Sequence, residues 1–259
     1  FGEDSLWSNV VSSMGPGLNN HRATYCSRNH EYYSEDAMLT NIMGVAVSLG
    51  GSHKGMMMEP KHFASNHQEA NRSGVCTFNT EQAIREIELR GFQGSLETNI
   101  ARGVMTAFNR IGTVYAGGHY GLLTQILRSE WGFNGFMITD AINGPEYMNW
   151  RDVTFAGGGG CLTENGFETS IIGQPSAAKN QKLIKADTAF QQAIKQNIKY
   201  SLYAIAGSNA MNGMTSNTKI VRAYPWWEKT LYAVNVVSGV LALGACAWYA
   251  TSVLKKKKQ

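Results

Sequence analysis

Charge is sparse in this chain, and most of it cancels. Asp, Glu, Lys and Arg make up only 16% of the 259 residues, and the formal net charge is +4. Four lysines stand together at Lys255–Lys258, so the remainder is close to neutral. No basic field is left for a nucleic-acid backbone, which excludes nucleic acid as a partner. With 43% hydrophobic residues the chain is also too apolar for intrinsic disorder. Cysteine is scarce: Cys26, Cys76, Cys161 and Cys246 follow no metal-ligand spacing. The run Gly157–Gly160 lacks the GK[ST] or GxGxxG setting of a phosphate cradle and reads as a tight loop at a strand edge. Neither a metal nor a cofactor is implied. The chain starts at Phe1 with no signal peptide and reads as opening within a longer protein.

What is present is an alternation of short apolar runs with helical patterns. Val10-Val11 leads into the loop Met14–Asn19. The stretch His21–Asp36 is dense in hydrogen-bonding and aromatic side chains without any period, which predicts an ordered, functional loop. Leu39, Ile42, Met43, Ala46 and Val47 recur at helical spacing up to Gly50-Gly51. Met56–Met58 form a strand ending on Lys61 and His62, with a loop then running to Asn79. Asn79 or Thr80 can cap a helix bearing Ala83, Ile84, Ile87, Phe92 and Leu96. A further strand and loop cover Gly103–Asn109, and a short amphipathic helix covers Gly121–Trp131. Phe136–Ile138 then reads as a buried parallel strand that ends at Asp140. Strand, loop and helix repeat about five times, which predicts an α/β fold with a parallel sheet. A full eight-fold (β/α) barrel takes about 250 residues, so the barrel expected here is partial. Reactive groups of such barrels sit at the C-terminal ends of strands, where Lys61, His62 and Asp140 fall.

Asp187–Ala206 predicts one more helix in the folded body. Residues 231–254 then contain no charged side chain. At about 1.5 Å per residue they span a hydrocarbon core of roughly 30 Å. Trp226-Trp227 and Trp248-Tyr249 flank the segment like an aromatic belt, and the lysines follow at once. The layout expected is a barrel domain over 1–215, a linker over 216–230, a single transmembrane helix over 231–254 and a basic tail over 255–259. Short basic flanks stay in the cytoplasm, which predicts a cell-membrane protein with its folded part outside.

Five motifs carry a resemblance. They are Arg28–Asp36 (RNHEYYSED), Lys61–Arg72 (KHFASNHQEANR), Met105–Arg110 (MTAFNR), Leu122–Phe133 (LLTQILRSEWGF) and Thr139–Ala141 (TDA), in that order. Together they resemble glycoside hydrolase family 3, which includes many β-glucosidases. The resemblance implies a partial TIM-type barrel and a retaining exo-β-glycosidase acting in carbohydrate metabolism on β-linked glucosides or oligosaccharides. It implies Asp140 as nucleophile. It implies Arg28, Lys61 and His62 as the clamp on the sugar hydroxyls, with Met105 and Phe108 as the wall beside the nucleophile. The acid/base carboxyl group is expected from a preceding domain or a partner chain, as in members with swapped domain order. The family usually has Tyr at Phe108 and Trp at Ala141. These two departures support the alternative reading, a non-catalytic carbohydrate-binding surface protein with a degenerate barrel.

Overall fold

Neighbouring residues along each central strand point to opposite sides, and both sides are apolar. The structure, a computed structural model, describes residues 1–142, 147–163, 166–169, 184–219, 221 and 224–256. Residues 164–165 at the end of the motif region, 220 and 222–223 of the linker and 257–259 of the basic tail lie outside the described residues. The chain divides into two units, Phe1–Asn212 and Gly213–Gln259.

In the first unit, α1 (Gly2–Trp7) precedes β1 (Ser12–Ser13), α2 (Ala37–Ser52) and β2 (Met57–Met58). β3 (Cys76–Thr77), α3 (Glu81–Ala83), a π-helical turn Ile84–Glu88 and α4 (Arg90–Glu97) follow. Next come β4 (Gly103–Thr106), β5 (Arg110–Ile111), β6 (Val114–Tyr115), a π-helix Gly121–Glu130 and β7 (Phe136–Ala141). The unit ends with α5 (Trp150–Phe155), β8 (Gly160–Thr163), β9 (Gly166–Thr169) and α6 (Thr188–Ala206).

β1 and β2 pair in parallel, and the pairing continues as a bridge from Gly17 to Lys61. A second parallel bridge, Phe63 to Thr106, hands the edge on to β4. β4 pairs in parallel with β7, and β7 with β8, while β9 turns back antiparallel. Successive parallel strands joined by helical crossovers form an arc of a (β/α) barrel. The stretch read as a loop before Asn79 instead contributes β3, which pairs with the β5–β6 hairpin in a separate small sheet. The helix expected after it contains a π-helical turn, and the short amphipathic helix expected over Gly121–Trp131 is π-helical over Gly121–Glu130, a wider coil than 3.6-residue spacing specifies.

Met58, Val104 and Met137 lie in the main core with Phe63, Leu89, Phe92, Leu123 and Leu127. Met57, Met105, Phe136 and Ile138 form a second cluster, which Ala204 of α6 joins. The alternation Met57/Met58, Met105/Val104 and Ile138/Met137 assigns the first cluster to the helical side and the second to the inner side of the arc. By the same alternation Glu59 and Asp140 belong to the inner face.

α2 departs from its hydrophobic spacing. Asp36 caps it, accepting from the Leu39 N–H at 2.6 Å. Its buried positions are Thr40, Gly44, Ser48 and Gly51, whereas Leu39, Ile42 and Met43 are exposed. Small residues let α2 pack closely: a Cβ on Gly44 would meet the Leu18 methyls at 2.8 Å, and one on Gly91 of α4 would meet Thr40 at 2.9 Å. Close backbone approach, not apolar spacing, selects the buried face. The double glycine does not stop the helix, which runs on to Ser52.

The second unit contains α7 (Trp226–Lys256). Its segment Trp226–Ser252 is, among the described residues, the one helix long and apolar enough to cross a membrane.

One buried cation ties the entry of β7 to the body. Arg128 donates to the carbonyls of Phe133 (3.0 Å), Gly135 (2.6 Å) and Gly157 (3.1 Å), and its guanidinium lies 3.7 Å from the centre of the Tyr200 ring. Arg128→Met keeps most of the volume but strands three carbonyls. We expect it to lower unfolding stability by about 3 kcal/mol, read from urea denaturation, since each orphaned buried acceptor costs about 1–3 kcal/mol. A loss under about 1 kcal/mol would contradict this role.

Candidate active site

Asp140 reaches the site because β7 is buried until its last two residues. The strand emerges from the core at Asp140, which is half-buried. One carboxylate oxygen accepts from the Ala141 N–H at 2.8 Å. The other lies 3.5 Å from His62 Nε2.

His62 stands where the chain of β2 ends, and it is 2% exposed. Asn19 locks its backbone twice: the His62 N–H donates to Asn19 Oδ1 at 2.8 Å, and Asn19 Nδ2 donates to the His62 carbonyl at 2.9 Å. Tyr32 Oη lies 3.4 Å from Nδ1. Burial pushes the His62 pKa well below the usual histidine value, and Arg28, Lys61 and Arg72 push it the same way. The ring is therefore neutral. A proton on Nε2 lets it donate to Asp140 while Nδ1 accepts from Tyr32.

Around this pair, carboxylates and cations interleave. Arg28 pairs with Glu31 and lies 3.5 Å from Glu69. Lys61 Nζ is 3.5 Å from Glu31. Arg72 binds Glu69 at 2.7 Å, and its guanidinium sits 4.1 Å from the centre of the Phe108 ring. Asn66 donates to Glu69 at 3.3 Å. Burial raises the Asp140 pKa, while the Ala141 N–H and then Arg72, Arg28 and Lys61 act in the opposite direction. Such an arrangement keeps a carboxylate within the field of three cations and, among the described residues, without an ion pair to Arg or Lys.

The structure thus brings Arg28, Lys61, His62 and Asp140 together, all but His62 half-buried. Phe108 lies at the edge under Arg72, and the Tyr147 hydroxyl donates to its carbonyl at 3.0 Å. Met105 packs lower, against Met57, Phe136, Ile138 and Ala204. Sequence reasoning left Asn19, Glu31, Tyr32, Glu69 and Arg72 without roles. Four of them lie inside the quoted motifs, where their density of polar groups was the available signal; Asn19 ends the first loop.

The chain is similar to known proteins. The profile described as the glycosyl hydrolase family 3 N-terminal domain matches residues 10–149. A beta-glucosidase of Ruminococcus albus is 42% identical over 127 residues, 49% of this chain and 13% of that protein. An exo-alpha-(1->6)-L-arabinopyranosidase of Bifidobacterium longum is 34% identical over 138 residues, 53% of this chain and 18% of its own. The structure of beta-glucosidase 3B from Thermotoga neapolitana in complex with glucose superposes with a TM-score of 0.71 at 29% identity, covering 81% of this chain and 29% of that one. The chain spans less than a fifth of the length of these two curated relatives.

The protonation state of His62 is measurable. Nitrogen-detected NMR of labelled protein should show the ring still neutral at pH 5.5, a full unit below the ordinary histidine pKa of about 6.5. A midpoint near 6.5 would contradict the burial and charge argument.

Proposed function

The chain belongs to glycosyl hydrolase family 3, and from that premise we propose that it cleaves the O-glycosyl bond of β-linked glucosides with retention, Asp140 being the nucleophile. The observation that carries the proposal is a carboxylate at a strand end, 3.5 Å from the buried His62 and within the field of three cations. Asp140 attacks the anomeric carbon as the bond to the leaving oxygen breaks, giving a glycosyl-enzyme. Water then attacks the same carbon and releases Asp140. Arg28 and Lys61 hold the sugar hydroxyls as charged donors, and His62 donates from Nε2. Phe108 forms the apolar wall, and Met105 packs lower on the inner face.

The leaving oxygen needs a proton from a second carboxyl group, kept neutral by an apolar setting. Glu31 and Glu69 are each committed to two cations, which is the opposite setting. We assign the acid/base to a domain or partner chain outside this one. A second reading, carbohydrate binding without hydrolysis, draws support from Phe108, which offers Asp140 no hydroxyl.

We also propose that residues 231–254 cross the cell membrane once, with the barrel unit outside and the lysines at the cytoplasmic face. After reconstitution the chain should resist alkaline carbonate extraction. Its release by carbonate would sink the anchor.

The chemistry has a matching test. A 2,4-dinitrophenyl β-glucoside leaves without protonation, so the chain alone should hydrolyse it while leaving a methyl β-glucoside intact. Asp140→Asn should cut that rate by about a thousandfold or more. Equal rates for wild type and Asp140→Asn would remove Asp140 from the mechanism. Saturable glucoside binding with no hydrolysis would favour the second reading.

A further inference from the structure

Glu59 has no part in the site above, yet the fold makes room for it. It lies on the inner face two residues before Lys61 and is 2% exposed. Its backbone N–H is held by the carbonyls of Ser13 and Gly15, each at 3.0 Å. The Ser12 hydroxyl donates to one carboxyl oxygen, and Oε2 has no hydrogen-bond partner among the described residues. On the neighbouring strand, a Cβ at Gly103 would strike the Glu59 side chain at 2.4 Å. Glycine there keeps open the space that the carboxyl group fills. An orphaned buried acceptor is destabilising, so the arrangement calls for a partner.

Glu59 lines a cavity of about 330 Å³. Its other walls are chiefly Val11, Met14, Met57, Phe136 and Ile205. Ser12 and Ser201 supply hydroxyls, and no other titratable group lines it among the described residues. From β1, β2, β7 and α6 alike, only apolar or hydroxyl side chains face Glu59 across this space. An anion would find no cation here. Oε2 is itself enclosed, so the Glu59 side chain must turn into the cavity to meet a ligand, and a neutral apolar molecule would leave it unmet there. A cationic nitrogen on a small apolar body satisfies both features, because its charge-assisted N–H bond is roughly twice as strong as a neutral one.

We propose that this cavity is a binding site for a small apolar primary amine, whose ammonium group pairs with Glu59. Its lining includes none of Arg28, Lys61, His62 and Asp140. Burial raises the Glu59 carboxyl to about 7. Only its ionised form pairs with an ammonium ion, so affinity rises as pH climbs through about 7 and levels off above it.

Titration calorimetry on the full chain in lipid nanodiscs tests this, with benzylamine as probe and benzyl alcohol as its neutral isostere. Empty nanodiscs give the partitioning blank. At pH 8 benzylamine should bind one-to-one and at least about tenfold tighter than the alcohol. Its affinity should fall about tenfold between pH 8 and pH 6, while that of the alcohol stays constant. Glu59→Gln should bring benzylamine down to the alcohol's level and leave alcohol binding intact, which also reports a folded cavity. Ser201→Leu, which fills the cavity from α6 with Glu59 untouched, should abolish both. The proposal is overturned by equal affinity for amine and alcohol at pH 8. It is equally overturned if benzylamine binding is unchanged in either variant, or if no saturable binding is found.

Discussion

A carboxylate leaving a buried strand must be kept charged without being neutralised by direct pairing, and the site is arranged around that constraint. Asp140 has one backbone N–H, a neutral imidazole and the field of three cations. Those cations are held off it by Glu31 and Glu69, which take up Arg28, Lys61 and Arg72. An ion pair directly on Asp140 would tie up the oxygen that has to attack carbon. Distributed charge stabilises the ionised form and leaves that oxygen available. His62 contributes because it is neutral: buried and facing cations, it donates a hydrogen bond and adds no further charge.

The strands make this possible by parallel register. β2 continues past Lys61 and His62 to the Phe63–Thr106 bridge, and β4 carries the register on to Thr139 of β7. Residues far apart in sequence therefore end at the same level. The inner face below them is mainly apolar, and Glu59 is the one titratable group among the described residues that line its cavity. Glu59 places a second carboxyl group in the same arc, with one hydroxyl as its partner and open space beside it.

Much of this was legible in the residues themselves. Short apolar runs ending in Lys61-His62 and Asp140 located the strand ends, and the cap expected at Asn79 or Thr80 located a helix start, where Thr80 accepts from the Ala83 N–H. Other features were not legible, for physical reasons. Strands buried on both sides show no polar alternation, so spacing alone carries no sign that Met105 packs below the level of Asp140. α2 buries Thr40, Gly44 and Ser48 because backbones approach closely there, and hydrophobic spacing is blind to that. Glu31 and Glu69 matter through distances across loops, which linear order does not contain. Glu59 read as one polar letter after three methionines, and only its burial and the glycine opposite set it apart.

The central claim is that Asp140 forms a covalent bond to the sugar. A 2-deoxy-2-fluoro β-glucoside with a dinitrophenolate leaving group slows the second step and allows the intermediate to accumulate. Peptide mass spectrometry after incubation should find one fluoroglucosyl group per chain, on the peptide bearing Asp140. Label on a different carboxylate, or an unmodified chain that nevertheless turns the substrate over, would contradict the account.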